Sequence, residues 1–173
     1  ATVWLTGLPK AGKSTLAFAL EKRLFGLGWL PHVLDGENLR LGVSHDLSFS
    51  ADDRSENVRR AAAVARLCNQ AGLITIAAFV SPYADDRTKA SQTIGHERFL
   101  EVHVAASLAA CRTRDDEGLY DRADKGEIRN FSGVSSPYEE PENPDVRVDT
   151  EALDVDACVD LIVVVLRERG LIQ

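Results

Sequence analysis

Short apolar runs alternate along the chain with segments in which apolar residues recur every three or four positions. The runs predict strands at Thr2–Thr6, His32–Leu34, Leu73–Phe79, Phe99–Val104 and Val146–Val148. The repeats predict helices that follow residue 13, extend from Ser50 to Gly72, cover about 84–94, follow Ser107, and close the chain near 155–166. Strands that alternate with helices predict an α/β fold, a doubly wound and mostly parallel five-stranded sheet with helices on both faces.

Two polar segments interrupt this pattern. Residues 37–50 are predicted to be irregular, and residues 115–144 are rich in charges, glycine and proline. Such a long segment inside a compact domain is usually functional, and we predict that residues 115–144 form a lid. At 173 residues the chain is predicted to be a single domain, residues 1–173.

The first predicted strand runs directly into a glycine-rich loop, Gly7-Leu8-Pro9-Lys10-Ala11-Gly12-Lys13-Ser14, with Thr15 next. This is the G-x-x-x-x-G-K-S pattern between a strand and a helix that a phosphate-binding loop requires. Its glycines let backbone N–H groups turn toward phosphate oxygens, and the helix adds the positive end of its dipole. Lys13 is predicted to reach the β- and γ-phosphates, and Ser14 Oγ to ligate Mg²⁺. The loop predicts a P-loop NTPase or kinase fold that binds a nucleoside triphosphate.

An acid, Asp35, ends the second predicted strand. In a doubly wound sheet that end of the strand faces the ligand crevice. Asp35 is therefore a candidate to accept a proton from a substrate hydroxyl, to orient that hydroxyl, or to hold the metal through water. The alternative is structural, because an aspartate at a strand end commonly caps the turn that follows.

Four arginines gather between the second strand and the long helix: Arg40, Arg54, Arg59 and Arg60. Guanidinium groups suit an oxyanion such as phosphate or sulfate. The alternative is a solvated charged face, with the arginines paired to Asp52, Asp53 and Glu56. Phe49 and Phe131 lie in polar loops, where they could stack on a nucleobase or simply anchor the core.

The composition of the chain limits which binding partners and which cellular compartment we expect. The formal net charge of −7 argues against a nucleic acid or an anionic membrane as partner. The longest apolar run, Leu161–Leu166, is too short to span a bilayer. Three scattered cysteines, Cys68, Cys111 and Cys158, predict buried thiols in a reducing cytoplasm. Because the sequence holds no methionine and begins inside a strand, we expect it to be trimmed or to be one domain of a longer polypeptide.

Several blocks together resemble adenylylsulfate kinase, and they occur in that family's order over nearly the whole chain. They are GLPKAGKST (7–15), LDGENLR (34–40), DLSFSADDRSENVRR (46–60), FVSPYADDR (79–87), GLYDRADKGEIRNFSGVSSPY (118–138), PENP (141–144) and Asp149-Thr150. The resemblance implies transfer of the γ-phosphoryl group of MgATP to the 3′-hydroxyl of adenosine 5′-phosphosulfate (APS). The products are ADP and 3′-phosphoadenosine 5′-phosphosulfate (PAPS), which is the activated sulfate donor of sulfate assimilation. It also implies a homodimer and, in some members, fusion to ATP sulfurylase.

The resemblance also implies residue roles. It gives Lys13, Asp35 and Ser81 catalytic positions, and Ser14 and Asp35 the Mg²⁺ site. The predicted ATP-binding residues are Gly7, Leu8, Pro9, Lys10, Ala11, Gly12, Lys13, Ser14 and Thr15. The predicted APS-binding residues are Glu37, Asn38, Arg40, Phe49, Arg54, Asn57, Val80, Ser81, Asn130 and Phe131. The family assigns the serine at position 81 a phosphoserine intermediate, but direct in-line transfer needs none, so a substrate-contacting hydroxyl is the simpler interpretation.

The sequence departs from the family's usual pattern at several positions. Lys10 stands where the loop generally has glycine, and Glu37 replaces a common aspartate. Three lid positions that usually carry lysine or arginine are acidic here: Glu117, Asp121 and Asp124. Because acids repel phosphates, we predict an active enzyme whose lid clamps the nucleotide more weakly. Nearby cations that could compensate are Arg122, Lys125 and Arg129.

Two other functions stay open from the sequence. One is a different small-molecule P-loop kinase that acts on a nucleoside monophosphate or a sugar acid. The other is a regulatory domain that senses PAPS for a fused ATP sulfurylase. The intact pair Lys13-Ser14 and Asp35 favour a kinase, because a sensor need not retain transfer machinery.

Overall fold

The protein is described from a computed structural model that covers residues 1–173. Its centre is one sheet of five strands in the order β2-β3-β1-β4-β5, and every neighbouring pair is parallel. The strands are β1 (Thr2–Thr6), β2 (Pro31–Asp35), β3 (Ile74–Ala78), β4 (Phe99–Ala105) and β5 (Val146–Asp149). All five predicted strands are confirmed to within a few residues.

Seven helices connect and cover the strands. They are α1 (Lys13–Gly26), α2 (Gly36–Leu41), α3 (Ala51–Gln70), α4 (Ala84–Ile94), α5 (Leu108–Thr113), α6 (Leu119–Asp124) and α7 (Val155–Glu168). Serine side chains cap two of the helices: Ser50 Oγ accepts from the Asp53 amide at 3.2 Å at the start of α3, and Ser107 Oγ accepts from the Ala110 amide at 3.1 Å at the start of α5. None of the helices combines the length and the apolar character needed to cross a membrane.

Two sequence-based expectations were wrong in detail. The segment 37–50 is not irregular throughout, because Asp35 caps a short helix, α2, at its start. Helix α2 has only six residues and buries only Leu39, so its sequence shows no repeat of apolar positions from which a helix could be predicted. Of the three cysteines predicted to be buried, Cys111 and Cys158 are buried, whereas Cys68 on α3 is only half-buried.

Two apolar clusters cover the two faces of the sheet, as a doubly wound fold requires. The larger one joins α1 and α7 to the sheet through residues such as Leu20 and Ile162. The smaller one joins α3 and α4 through residues such as Ala61, Ala90 and Trp4. Both clusters hold the central strand β1 rigidly, so the loop that follows β1 begins from a fixed point.

Gly7 begins that loop, and the structure leaves no room there for a side chain. A Cβ atom at this position would lie 2.5 Å from the carbonyl oxygen of Val104 on β4. We expect Gly7→Ala to lower the free energy of unfolding by about 1–3 kcal/mol, because the overpacked strands must separate. Urea denaturation measures this loss.

Gly26→Ala is the matched control, because nothing lies within 4 Å of a Cβ atom at the end of α1. We expect this change to leave stability the same or to raise it slightly. Equal losses for the two variants would contradict a steric requirement at Gly7.

Candidate active site

A cavity of about 540 Å³ opens at the carboxyl ends of β1, β2 and β3. Five chain segments line it: the P-loop, residues 35–40 from the end of β2 into α2, residues 49–58 at the start of α3, the loop after β3, and the predicted lid. This is the edge at which doubly wound sheets bind their ligands. The topology therefore brings together segments that are far apart in the sequence.

The P-loop turns through Gly12, whose φ of 101° is left-handed and favours glycine. Lys13 follows as the first residue of α1 and is almost fully buried. Its Nζ donates to the carbonyl oxygens of Gly7 at 3.0 Å and Leu8 at 2.7 Å. Burial lowers the pKa of Lys13 to about 8, because the ammonium loses solvent and gains only distant negative charges. A phosphate placed in the loop would supply the missing counter-charge.

This lowered pKa predicts how affinity for ATP changes with pH. Phosphate stabilises the charged ammonium and raises its pKa in the complex, so binding is strongest while free Lys13 is protonated. We expect affinity to be at its maximum below pH 8 and to weaken above it by up to about tenfold per pH unit. Calorimetric titration of metal-free ATP at pH 7, 8 and 9 measures the change, with adenosine as the phosphate-free control. A dissociation constant that stays flat over this range would contradict the role of Lys13.

Ser14 and Asp35 meet across the cavity. Ser14 Oγ donates to Asp35 Oδ2 at 2.7 Å, and Asp35 Oδ1 accepts from the Glu37 amide at 2.9 Å. Asp35 thus caps α2 with one carboxylate oxygen and contacts Ser14 in the cavity with the other, so the capping interpretation is confirmed and the site role stays a prediction. The first contact links the P-loop to the end of β2 and brings together a hydroxyl and a carboxylate, two oxygen ligands of the kind that Mg²⁺ prefers.

Two of the four arginines line the cavity beside Phe49. The guanidinium of Arg40 lies 4.2 Å from the centre of the Phe49 ring, and that of Arg54 lies 5.6 Å away. Arg54 also reaches Ser132 Oγ at 3.3 Å and the carbonyl oxygen of Asn130. These contacts join α3 to the lid, with cations and an aromatic face exposed to the same space.

The other two arginines are explained by ion pairing. Arg59 and Arg60 both bind Glu56, and Arg60 also binds Asp46. Neither lines the cavity. The charged-face interpretation therefore holds for Arg59 and Arg60, and the oxyanion interpretation stays a prediction for Arg40 and Arg54.

Asn57 and Phe131 complete the wall around the arginines. Asn57 is buried on α3 and lines the cavity, and its Oδ1 has no hydrogen-bond partner in the protein. An unpaired buried amide oxygen is costly, so it favours a ligand that donates to it. Phe131 packs edge-on against Tyr120, with ring centres 5.0 Å apart, and lines the cavity with a small exposed fraction.

Ser81 follows β3 and is held tightly. Its backbone φ of 38° lies in the left-handed region, and its side chain is buried. Ser81 Oγ accepts from Trp4 Nε1 at 3.1 Å, and its carbonyl oxygen accepts from Arg87 Nη1 at 2.8 Å. The indole is a donor and cannot serve as a general base. These contacts favour a positioning and substrate-contacting role over a nucleophile.

Backbone strain coincides with the predicted site. The non-glycine residues with positive φ are Lys10 at 63°, Ser81 at 38° and Asn130 at 58°. Each belongs to the set of residues to which the resemblance gives a role in binding ATP or APS. Such conformations cost free energy, and they cluster at sites where geometry serves function.

Most predicted site residues line this cavity, although some do not. Those that line it are Pro9, Lys10, Lys13, Ser14, Asp35, Glu37, Arg40, Phe49, Arg54, Asn57, Val80, Ser81 and Phe131. Those outside its lining are Gly7, Leu8, Ala11, Gly12, Thr15, Asn38 and Asn130. Lining residues without a predicted role include Gly36, Phe79, Pro82, Leu119, Ile128 and Ser132. The side chains of these residues are small or apolar, so nothing in their chemistry indicates a binding role from the sequence.

The three lid acids occupy different places. Asp124 pairs with Arg112 at 2.6 Å, and Asp121 is exposed on α6. Only Glu117 lines the cavity, together with Arg129 on the basic side. The predicted weaker lid clamp therefore depends mainly on Glu117.

Comparison with known proteins identifies one family. A family model described as adenylylsulphate kinase matches residues 1–149. The adenylyl-sulfate kinase of Prochlorococcus marinus is 50% identical over 171 residues, which cover 99% of this chain and 85% of that protein. The bifunctional enzyme CysN/CysC of Rhodopirellula baltica is 48% identical over 173 residues, which cover all of this chain and 27% of that enzyme.

A solved structure gives the same result in three dimensions. The Mycobacterium tuberculosis APS kinase CysC, in complex with AMPPNP and APS, superimposes with a TM-score of 0.92 at 39% identity over 96% of each chain. This agreement confirms the predicted P-loop kinase fold. Given a family model that matches most of the sequence and a relative that is half identical, the chain belongs to the adenylylsulfate kinase family.

Proposed function

We propose that residues 1–173 act as one adenylylsulfate kinase domain, with residues 115–144 as its lid. The reaction transfers the γ-phosphoryl group of ATP to the 3′-hydroxyl of APS and yields ADP and PAPS, a step of sulfate assimilation. The observation that carries this proposal is the contact between Ser14 and Asp35, which joins the nucleotide loop to an acid inside the substrate cavity. A domain that only senses nucleotide has no need of that pairing.

The P-loop would hold ATP. Residues 7–15 supply backbone amides and the start of α1, and Lys13 supplies a cation whose pKa burial has lowered to about 8. Lys13 would leave the carbonyls of Gly7 and Leu8 and contact the β- and γ-phosphates. This contact strengthens as negative charge shifts during transfer, so it stabilises the transition state more than the bound substrate.

Mg²⁺ is proposed as the cofactor, held by Ser14 and Asp35. Both donors are oxygens, which this cation prefers, and the two side chains already lie within hydrogen-bond distance of each other. Mg²⁺ bound there would neutralise charge on the β- and γ-phosphates. Few protein ligands suffice, because this ion usually keeps water and substrate phosphate in the rest of its shell.

APS would occupy the remainder of the cavity. Arg40 and Arg54 suit its phosphosulfate group, Asn57 offers an unpaired amide oxygen, and Phe49 and Phe131 offer aromatic surface to the adenine. Glu37, Val80 and Ser81 line the same space, while Asn38 and Asn130 would contribute from its margin. Asp35 would then accept the proton of the 3′-hydroxyl or orient it within the metal shell.

The decisive assay separates the kinase from both alternatives. The purified protein is incubated with MgATP and either APS, adenosine monophosphate or a sugar acid, and ADP and PAPS are quantified by chromatography. We expect ADP and PAPS to form in equal amounts with APS and neither to form with the other acceptors. Tight binding of PAPS without any turnover of APS would instead support the sensor.

Wider properties of the protein are also proposed. We propose a homodimer, to be tested by light scattering. Association with ATP sulfurylase, as a fusion or a complex, is supported by the similarity to a bifunctional relative. A cytoplasmic location is supported by three free thiols, which a reducing compartment maintains. The net charge of −7 argues against nucleic acid and membrane partners.

A further inference from the structure

The side chain of Lys10 bridges the P-loop and the lid. Its Nζ lies 2.9 Å from Asp116 Oδ1 and 2.6 Å from Glu117 Oε1, just before α6 begins. The lysine side chain is 20% exposed, whereas those of the two acids are 85% and 61% exposed. One ammonium at the mouth of the cavity therefore holds two carboxylates of the lid.

The backbone at Lys10 is also unusual. Its φ of 63° is a conformation that glycine adopts freely and that costs a lysine strain. The side chain projects from the loop toward the lid, and both Lys10 and Glu117 line the cavity. Lys10 therefore borders the same cavity as the P-loop, in which the triphosphate would lie.

The electrostatics favour an exchange of partners. The two carboxylates raise the pKa of Lys10, so its ammonium stays charged at any working pH. Each ion pair with a carboxylate as exposed as Asp116 or Glu117 is weak, because water screens the charges and the side chains lose conformational freedom. The phosphates of ATP carry several charges at short spacing and are fixed by the loop, so they compete strongly for the same ammonium.

We propose that Lys10 is a second phosphate-binding lysine that leaves Asp116 and Glu117 for the triphosphate when ATP binds. The inference rests on the proposed function of the P-loop as the ATP site. In the free protein the lid is tied to the loop through Lys10. Nucleotide breaks that tie, so the lid segment is released as ATP binds and can rearrange around the substrates.

The competing interpretation is a permanent strap, in which the ion pairs persist with ATP bound. The two interpretations differ in how loss of the two acids changes ATP affinity, which rises under exchange and falls under a strap. Lys10→Gly removes the phosphate contact and also relieves the strained backbone. Asp116→Asn with Glu117→Gln removes the competitors and leaves Lys10 free for phosphate.

The experiment is calorimetric titration of MgATP and of AMP, the monophosphate control, into the wild-type chain and both variants. We expect Lys10→Gly to weaken ATP binding by about tenfold while AMP binding changes by less than about twofold. We expect the double acid variant to tighten ATP binding by about threefold. Lys22→Ala, which removes an exposed lysine from α1, is the control for net charge and should match the wild type.

Loss of affinity in both variants would show a strap and overturn the exchange. Equal weakening of ATP and AMP by Lys10→Gly would also overturn it, because a phosphate contact must discriminate between them. Thermal unfolding midpoints check that each variant is folded. Since no APS is present, a failure of the kinase assay would leave this result intact, so the two proposals fail separately.

Discussion

Asp35→Asn is expected to lower kcat for PAPS formation by about a thousandfold. An asparagine has nearly the same shape and remains a good helix cap, so the contact with the Glu37 amide and the start of α2 should persist. The change removes the negative charge that would accept the hydroxyl proton or hold Mg²⁺, and such groups contribute about 10²–10⁴ in rate. Steady-state kinetics with coupled detection of ADP measures the loss.

The same variant separates the two roles left open for Asp35. If the carboxylate acts through the metal, raising the Mg²⁺ concentration should recover part of the rate, whereas loss of a base should not respond. Asp52→Asn, an exposed acid on α3 outside the cavity, is the control and should keep full activity. A kcat for Asp35→Asn within threefold of the wild type would exclude both roles.

Lys13→Ala is expected to lower kcat/KM for ATP by about 10³, roughly 4 kcal/mol of transition-state stabilisation. The side chain is buried and its pKa is lowered to about 8, so the protein bears the cost of its desolvation until phosphate arrives. Removing it should not unfold the chain, because it donates only to loop carbonyls in the free protein. Initial rates over a range of ATP concentrations give the ratio.

Lys22→Ala on the outer side of α1 serves as the control for removing a lysine from the same helix. Its kcat/KM should equal that of the wild type. A Lys13→Ala enzyme that retains more than a tenth of the activity would show that the backbone amides of the loop suffice alone.

Most of the fold could be predicted from sequence because its strands are short segments dominated by apolar residues, most clearly at β3. Residues 73–79 are apolar apart from Thr75, and every residue of β3 is buried, so the pattern needs no tertiary information. Helix α2 was missed because six residues with one buried leucine leave no periodicity to detect. The helix starts at the cap that Asp35 provides, and an aspartate at the end of a strand is equally typical of a turn.

The site could be predicted in part for a different reason. Motif residues such as Lys13 and Ser14 are recognisable because phosphate chemistry demands those residue types at that spacing. Contacts between residues that are far apart in the chain cannot be recognised from the sequence. The pairing of Lys10 with Asp116 and Glu117 spans more than a hundred residues, and only the fold shows that Glu117, one of the acids expected to repel phosphate, is held by this cation.

The most direct test is a crystal structure of this chain with ADP, Mg²⁺ and APS bound together. We predict that the β-phosphate of ADP lies in the loop of residues 7–14 and that the Asp35 carboxylate contacts the ribose 3′-hydroxyl, either directly within about 3.2 Å or through one bridging water. A carboxylate turned away from the ribose, with no phosphate in the loop, would contradict the account.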